Sequence, residues 1–281
     1  MVPPPSRAIR AICAAVLSTS CSVWIEAARE QCSFDSDCTK RGTAYAKSQC
    51  IDAVCVDDPA WSCLGSVAWP EPTESRQVTV TIRFRDVVTG EPLTTVRLNI
   101  CRKQDFACAD PLMRGIGPLE TGDLSFKVDA GFDGYLELSA PGRVPALFFF
   151  YPPVTEDREV AGLPLLPPAL LDQVSQLAGK PMIPDRGVAL LGASDCRSVP
   201  AEGVHIWSSD ADVSTSAFYV IKKIPSATAT FTDASGEGGF LNLRAGSASI
   251  TGTLADGRRI GTVTVLVRAG TITYTTMIPT P

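Results

Sequence analysis

The chain has 281 residues, 45% of them apolar, a formal net charge of −5 and a single histidine. That length accommodates about two domains plus a small module. Its basic residues are scattered, with no aromatic-interleaved stripe, which excludes nucleic acid as the expected partner because such binding needs clustered Lys and Arg against phosphates.

The first residues read as an export leader. Arg7 and Arg10 precede the apolar run Ala11–Leu17, and the small residues Ser18, Thr19 and Ser20 follow. This predicts a signal peptide over 1–20. The segment Leu17-Ser18-Thr19-Ser20-Cys21 fits ordinary cleavage before Cys21, and it also resembles a bacterial lipobox in which Ser18 replaces the usual Leu or Val. Lipidation at Cys21 would attach the protein to a membrane and leave eight later cysteines, an even number compatible with four bridges. No later segment approaches the roughly 18–20 unbroken apolar residues of a membrane span.

A cysteine-rich, disulfide-stapled module is expected over 21–69. Cys32, Cys38, Cys50, Cys55 and Cys63 crowd a stretch with few large apolar residues, so cross-links must supply the order that a core cannot. Four of the five can pair internally. Cys63 is the expected remainder, with Cys196 as its distant partner; spacing alone does not determine connectivity. A zinc site is disfavoured, since only Cys50-x4-Cys55 has short spacing and His205 stands alone. No metal or other cofactor is expected.

A first β-sandwich is expected over 76–160. Val78, Val80, Ile82 and Phe84 alternate with Thr79, Thr81, Arg83 and Arg85, giving one buried and one wet face. Further strands are predicted at 93–100, 124–128, 135–138 and 144–151, the last carrying Phe148-Phe149-Phe150-Tyr151 as a buried strand. Cys101 and Cys108, seven positions apart, would close a small ring. Over 161–184 the pattern becomes helical. Leu170, Val174 and Leu177 are spaced i, i+4, i+7 between Pro167-Pro168 and Gly179, which predicts a short connecting helix. A second sandwich is expected over 185–281, with strands at 187–191, 204–207, 218–221, 227–232, 240–243, 248–254, 263–268 and 271–278.

The two β regions repeat one another. Thr121-Gly122-x3-Phe126-x4-Gly131 parallels Ser235-Gly236-x3-Phe240-x5-Gly246, and Pro92, Val96 and Leu98 parallel Pro200, Val204 and Ile206. Pro200, Gly203, Val204, Thr232-Asp233, Gly236, Gly239, Phe240 and Gly246 resemble carboxypeptidase regulatory-like domains, and the first unit matches more loosely through Gly90, Pro92, Val96, Gly122, Phe126 and Gly131. The resemblance implies transthyretin-like (prealbumin-like) antiparallel sandwiches and an accessory role in adhesion, stability or glycan and protein contact. The layout also resembles large Gram-negative lipoproteins of unassigned activity. No catalytic residue carries over, because the hydrolases of this fold depend on several histidines.

Little else points to chemistry. His205 would have to be the base of any Ser-His-Asp arrangement, and no Gly-x-Ser-x-Gly elbow accompanies it. Asp35/Asp37 and Asp210/Asp212 offer too few oxygens for calcium. Trp61, Trp69 and Trp207 could stack sugars if they formed one exposed row. The expected function is that of a non-catalytic exported envelope protein, lipid-anchored or secreted, acting as a structural or adhesive scaffold toward an extracellular protein or glycan. A secreted carbohydrate-binding protein is the rival, and a carboxylate-dependent hydrolase a weaker one.

Overall fold

The computed structural model describes residues 32–42, 46–51, 53–56, 58–69 and 76–281. The expected signal peptide and the lipidation site Cys21 lie outside the described residues. The chain divides into two compact units, Met1–Cys63 and Leu64–Pro281.

The first unit holds a one-turn helix, α1 (Asp35–Thr39), and a hairpin of β1 (Gln49–Ile51) and β2 (Val54–Val56). Cys50 and Cys55 stand opposite each other across the hairpin. Each is bridged outward, Cys32–Cys50 and Cys38–Cys55, so the hairpin is stapled both to the helix and to the segment before it. Asp35 adds a local tie by accepting the Cys50 amide at 2.9 Å. Cys63 is also disulfide-bonded.

The second unit is mainly β. Its first half runs β3 (Gln77–Arg85), β4 (Arg97–Arg102), β5 (Met113–Ile116), β6 (Asp123–Asp129), β7 (Gly134–Ser139), β8 (Ala146–Phe149) and β9 (Arg158–Pro164). Helix α2 (Pro168–Leu177) leads into β10 (Arg186–Ala193), β11 (Val204–Ser208), β12 (Ser216–Ile221), β13 (Ile224–Ser226), β14 (Glu237–Arg244), β15 (Gly246–Leu254), β16 (Arg259–Val267) and β17 (Ile272–Met277).

The halves are two copies of one topology. β3 pairs antiparallel with β6 and parallel with β9, as β10 does with β14 and β17. β4, β7 and β8 form an antiparallel trio, as β11, β15 and β16 do. The corner after the first strand repeats bond for bond. Phe84 donates its amide to Gly122 and accepts from Leu93; Ala193 donates to Gly236 and accepts from Ala201. Gly122 and Gly236 both adopt positive φ, and a Cβ there would lie 2.6 Å from the Phe84 carbonyl oxygen and 2.3 Å from that of Ala193. Only glycine meets both demands. Asp86 and Asp195 close the two corners through backbone amides, Val88 and Thr89 in one case, Arg197 and Val199 in the other.

The fold is mainly β as expected, and the expected antiparallel pairing is joined by parallel pairs, so the sheets are mixed. β3–β9, β10–β17 and β17–β8 are parallel pairs. The last of these fuses the halves into one nine-stranded sheet ordered β13-β12-β14-β10-β17-β8-β7-β4-β5, flanked by β6-β3-β9 and β11-β15-β16. The chemistry of β8 allows this: Ala146, Leu147 and Phe149 are buried, so the strand is apolar on both faces and suits a covered parallel pairing.

One core cluster fills the first half and continues onto the second. Val80, Ile82, Phe84, Leu98, Leu136 and Phe150 meet Val188, Phe218, Leu241 and Ile272, with Leu171 of α2 as a cover. Each such side chain contributes roughly 1.5–3 kcal/mol by leaving water. Leu170 and Val174 pack on this cluster, whereas Leu177, expected on the same stripe, is exposed.

Three differences from the sequence expectation have local causes. The strand expected at 227–232 is absent; β13 ends at Ser226, and the following segment is pinned by the buried Thr232 hydroxyl, which donates to Ala201 and accepts from Val204. β5 is short, with Met113 and Ile116 at its ends partly buried and the two residues between them exposed, so it shows no alternation. In β9 the alternation of Val160 and Leu163 is broken at Gly162, where φ is +67° and the register with β3 shifts.

Candidate functional site

Among the described residues every cysteine is disulfide-bonded. In addition to the two bridges of the first unit, Cys101 and Cys108 are bonded, and Cys196 is disulfide-bonded. Cys32, Cys38 and Cys55 bring their sulfurs within 4.8 Å of one another, as do Cys101 and Cys108 with a Glu137 oxygen, but disulfide sulfurs hold no proton to release and make no thiolate site.

His205 is a hydrogen-bonded strand residue. Its Nδ1 lies 2.9 Å from the Thr230 carbonyl oxygen, so that nitrogen carries the hydrogen, and it also meets the Tyr219 hydroxyl at 3.2 Å. Tyr219 in turn accepts the Ile206 amide at 3.0 Å, and burial raises its pKa. The Phe231 ring stands edge-on to the imidazole. These contacts lock the β11 edge in place.

The acidic pairs are used internally. Asp210 accepts the Ser249 amide, while Asp212 takes Arg186, Arg244 and the Ser214 amide. The Arg186 guanidinium, followed by the Ser214 amide and Arg244, holds the Asp212 carboxyl well below the usual carboxylate range. Asp37 accepts the Ser33 and Phe34 amides, which likewise lowers its pKa. Neither pair presents an open set of oxygens.

The three tryptophans do not form an exposed row, which corrects that condition. Trp61 is buried, Trp69 stands edge-on to Tyr151 at 5.2 Å, and Trp207 of β11 is 46% exposed. Two outward faces remain. On β6-β3-β9, Arg83 bridges Asp123 at 3.1 Å and Glu159 at 3.0 Å, Thr81 meets Ser125, and Asp157 accepts the Thr79 amide. This face is charged but internally neutralised. On β11-β15-β16, Trp207 stands opposite Thr251, Thr251 bonds Thr262 at 2.7 Å, and Ser249 meets Thr264 at 3.3 Å. The result is a ladder of hydroxyls in which Thr251 is buried and Thr262 also accepts the Arg259 guanidinium, beside one exposed indole.

The sequence gives no sign of a cavity that opens on the opposite face of the nine-stranded sheet. It holds about 370 Å³, between β9 and the strands β8, β17, β10 and β14. Its walls are Phe148, Val160, Leu190 and Tyr274, and Glu237 is the one carboxylate among its lining residues. It exists only where β9, paired to β3, comes to lie over β8, β17, β10 and β14, so no local motif marks it.

No family model matches the chain, and no curated protein matches it. Among solved structures it is similar to the Bacillus anthracis TIE protein, at 13% identity over 73% of this chain and 34% of that one, with a TM-score of 0.26. It is also similar to BcpA, the major pilin subunit of Bacillus cereus, at 9% identity over 73% of this chain and 100% of that one, TM-score 0.26. The shaft pilin spaA of Lactobacillus rhamnosus GG aligns at 14% identity over 74% of this chain and 99% of that one, TM-score 0.25. Superpositions this loose carry no statement about family, activity or partner. No helix among the described residues is long and apolar enough to cross a membrane.

Proposed function

We propose that this chain is a non-catalytic, exported cell-envelope protein that acts as a structural or adhesive scaffold toward an extracellular protein or glycan. The observation that carries this reading is the outer face of β11-β15-β16. Its Ser249–Thr264 rung carries hydroxyls, the Arg259 guanidinium bonds the Thr262 hydroxyl on the neighbouring rung, and Trp207 stands out from it as an aromatic anchor. Disulfides in both units support an oxidising compartment, where such bridges persist. The bond-for-bond repeat of the Pro92/Gly122 and Pro200/Gly236 corners supports the likeness to carboxypeptidase regulatory-like domains. Attachment through a lipid on Cys21 belongs to the same proposal, and the intact mass of exported protein tests it.

A carbohydrate ligand is the second reading, favoured by the same Trp207, because an indole stacks on a sugar ring while flanking hydroxyls bond its edges. A glycan array and an array of surface proteins, each probed with the full chain and with Trp207→Ala, decide the matter. The scaffold reading expects retention on at least one array and its loss in Trp207→Ala. Retention unaffected by the substitution, or none on either array, overturns the assignment of this face.

A further inference from the structure

The cavity between β9 and the nine-stranded sheet opens at one end beside the exposed carboxylate of Glu237. Glu237 sits opposite Gly192 across the β10–β14 pair, so the two share a face. Among the described residues its carboxylate makes no ion pair and no side-chain hydrogen bond, and no basic residue lines the cavity. Glu237 is exposed at the cavity mouth, and desolvation on its protein side, together with the nearby negative charge of Asp233, moves its carboxyl above its ordinary range. The rest of the cavity is hydrocarbon and aromatic. Leu190 lies beside Gly192, and Tyr274 and Phe148 follow on the next two strands. Tyr274 is only 8% exposed, lines the cavity, and its hydroxyl has no hydrogen-bond partner.

The floor is open because of one missing side chain. A Cβ on Gly192 would have nothing within 4 Å, and its φ is not in the left-handed region. The strand therefore does not require glycine there, yet any larger residue would fill the space. From β14 to β8 the cavity crosses three strand spacings, about 14 Å at ~4.8 Å each. A volume near 370 Å³ holds about a dozen non-hydrogen atoms at ~30 Å³ apiece.

We propose that this cavity binds a small amphiphilic amine, with its ammonium against the Glu237 carboxylate and its alkyl chain crossing Gly192 toward Tyr274 and Phe148. Charge complementarity selects the head group: an ammonium supplies the missing counter-charge, a neutral alcohol does not, and a carboxylate would be repelled by both Glu237 and Asp233. The apolar walls select the chain.

Calorimetric titration of the full chain with octylamine, octanol and octanoate tests this. Octylamine is expected to bind at least about ten-fold more tightly than octanol, with octanoate weakest. Glu237→Gln should reduce octylamine to the affinity of octanol, and Gly192→Val, which fills the floor without backbone strain, should abolish binding of both. The proposal is overturned if no probe binds, if all three bind alike, or if either variant leaves octylamine binding unchanged.

Discussion

The two halves of the second unit share a topology and differ in what β8 and its counterpart β16 do. In the first half, β8 is buried on both faces and pairs with β17 of the second half. Its counterpart β16 pairs only with β15 in its three-stranded sheet, and places Thr262 and Thr264 outward while Val263, Val265 and Val267 face in. The pairing pattern is one; the residue pattern decides whether the strand joins a covered sheet or keeps a wet face. Fusion leaves the first half with a charged outer sheet and the second with a hydroxylated one. It also forms the cavity, whose walls come from both halves.

Substitutions can break this comparison at graded depth. The deepest change strikes the shared corner. Gly236→Val combines positive φ with a Cβ clash and should destabilise the unit by about 4 kcal/mol, lowering its melting temperature by roughly 10 °C in calorimetry. Gly122→Val should do nearly the same, since the two corners are equivalent. Next comes the pair that separates the strands. Leu147→Ala on β8 should cost about 3 kcal/mol as a buried cavity, whereas Thr264→Ala on β16 should stay within about 0.5 kcal/mol. Equal effects would erase the distinction drawn between β8 and β16.

The Cys101–Cys108 ring exists only in the first half, and replacing both cysteines by serine should cost about 2.5 kcal/mol in denaturant unfolding. Arg268 joins the halves by reaching Glu137, the Phe106 carbonyl and the Tyr135 hydroxyl. Arg268→Ala should cost about 2 kcal/mol, because Glu137 loses its ion pair and keeps only the Asn99 amide, while the Phe106 carbonyl and Tyr135 hydroxyl lose a donor. The smallest effect is with pH. Asp212 titrates lower in the folded chain than in the unfolded one, so its contribution is complete above the ordinary carboxylate pKa and is lost as pH falls below about 4. Asp212→Asn should flatten the acid limb of a melting-temperature profile.

Much of this architecture is written locally. The alternation of Val78, Val80, Ile82 and Phe84, the helix between Pro168 and Gly179, and the paired Gly122 and Gly236 turns all reflect demands that act within a few residues. Partner choice between strands does not. That β8 meets β17 depends on two segments more than a hundred positions apart, and apolarity on both faces says only that a strand is covered, not by what. β9 was hidden because Gly162 breaks its alternation, and with β9 hidden the cavity was hidden as well. Of the candidate functional residues, Trp207 could be named from sequence, but its exposure, against the burial of Trp61, is a tertiary fact. Glu237 is one acidic residue among thirty, distinguished only by the glycine across from it.

Hydrogen exchange followed residue by residue tests the fused sheet most directly, at the junction Ala146–Phe148 against Ile272–Tyr274. Amides on both strands should be protected to the same degree and should open together with the centres of both halves in a single transition. Rapid exchange along that seam, or separate melting of 76–160 and 185–281, would contradict the continuous sheet.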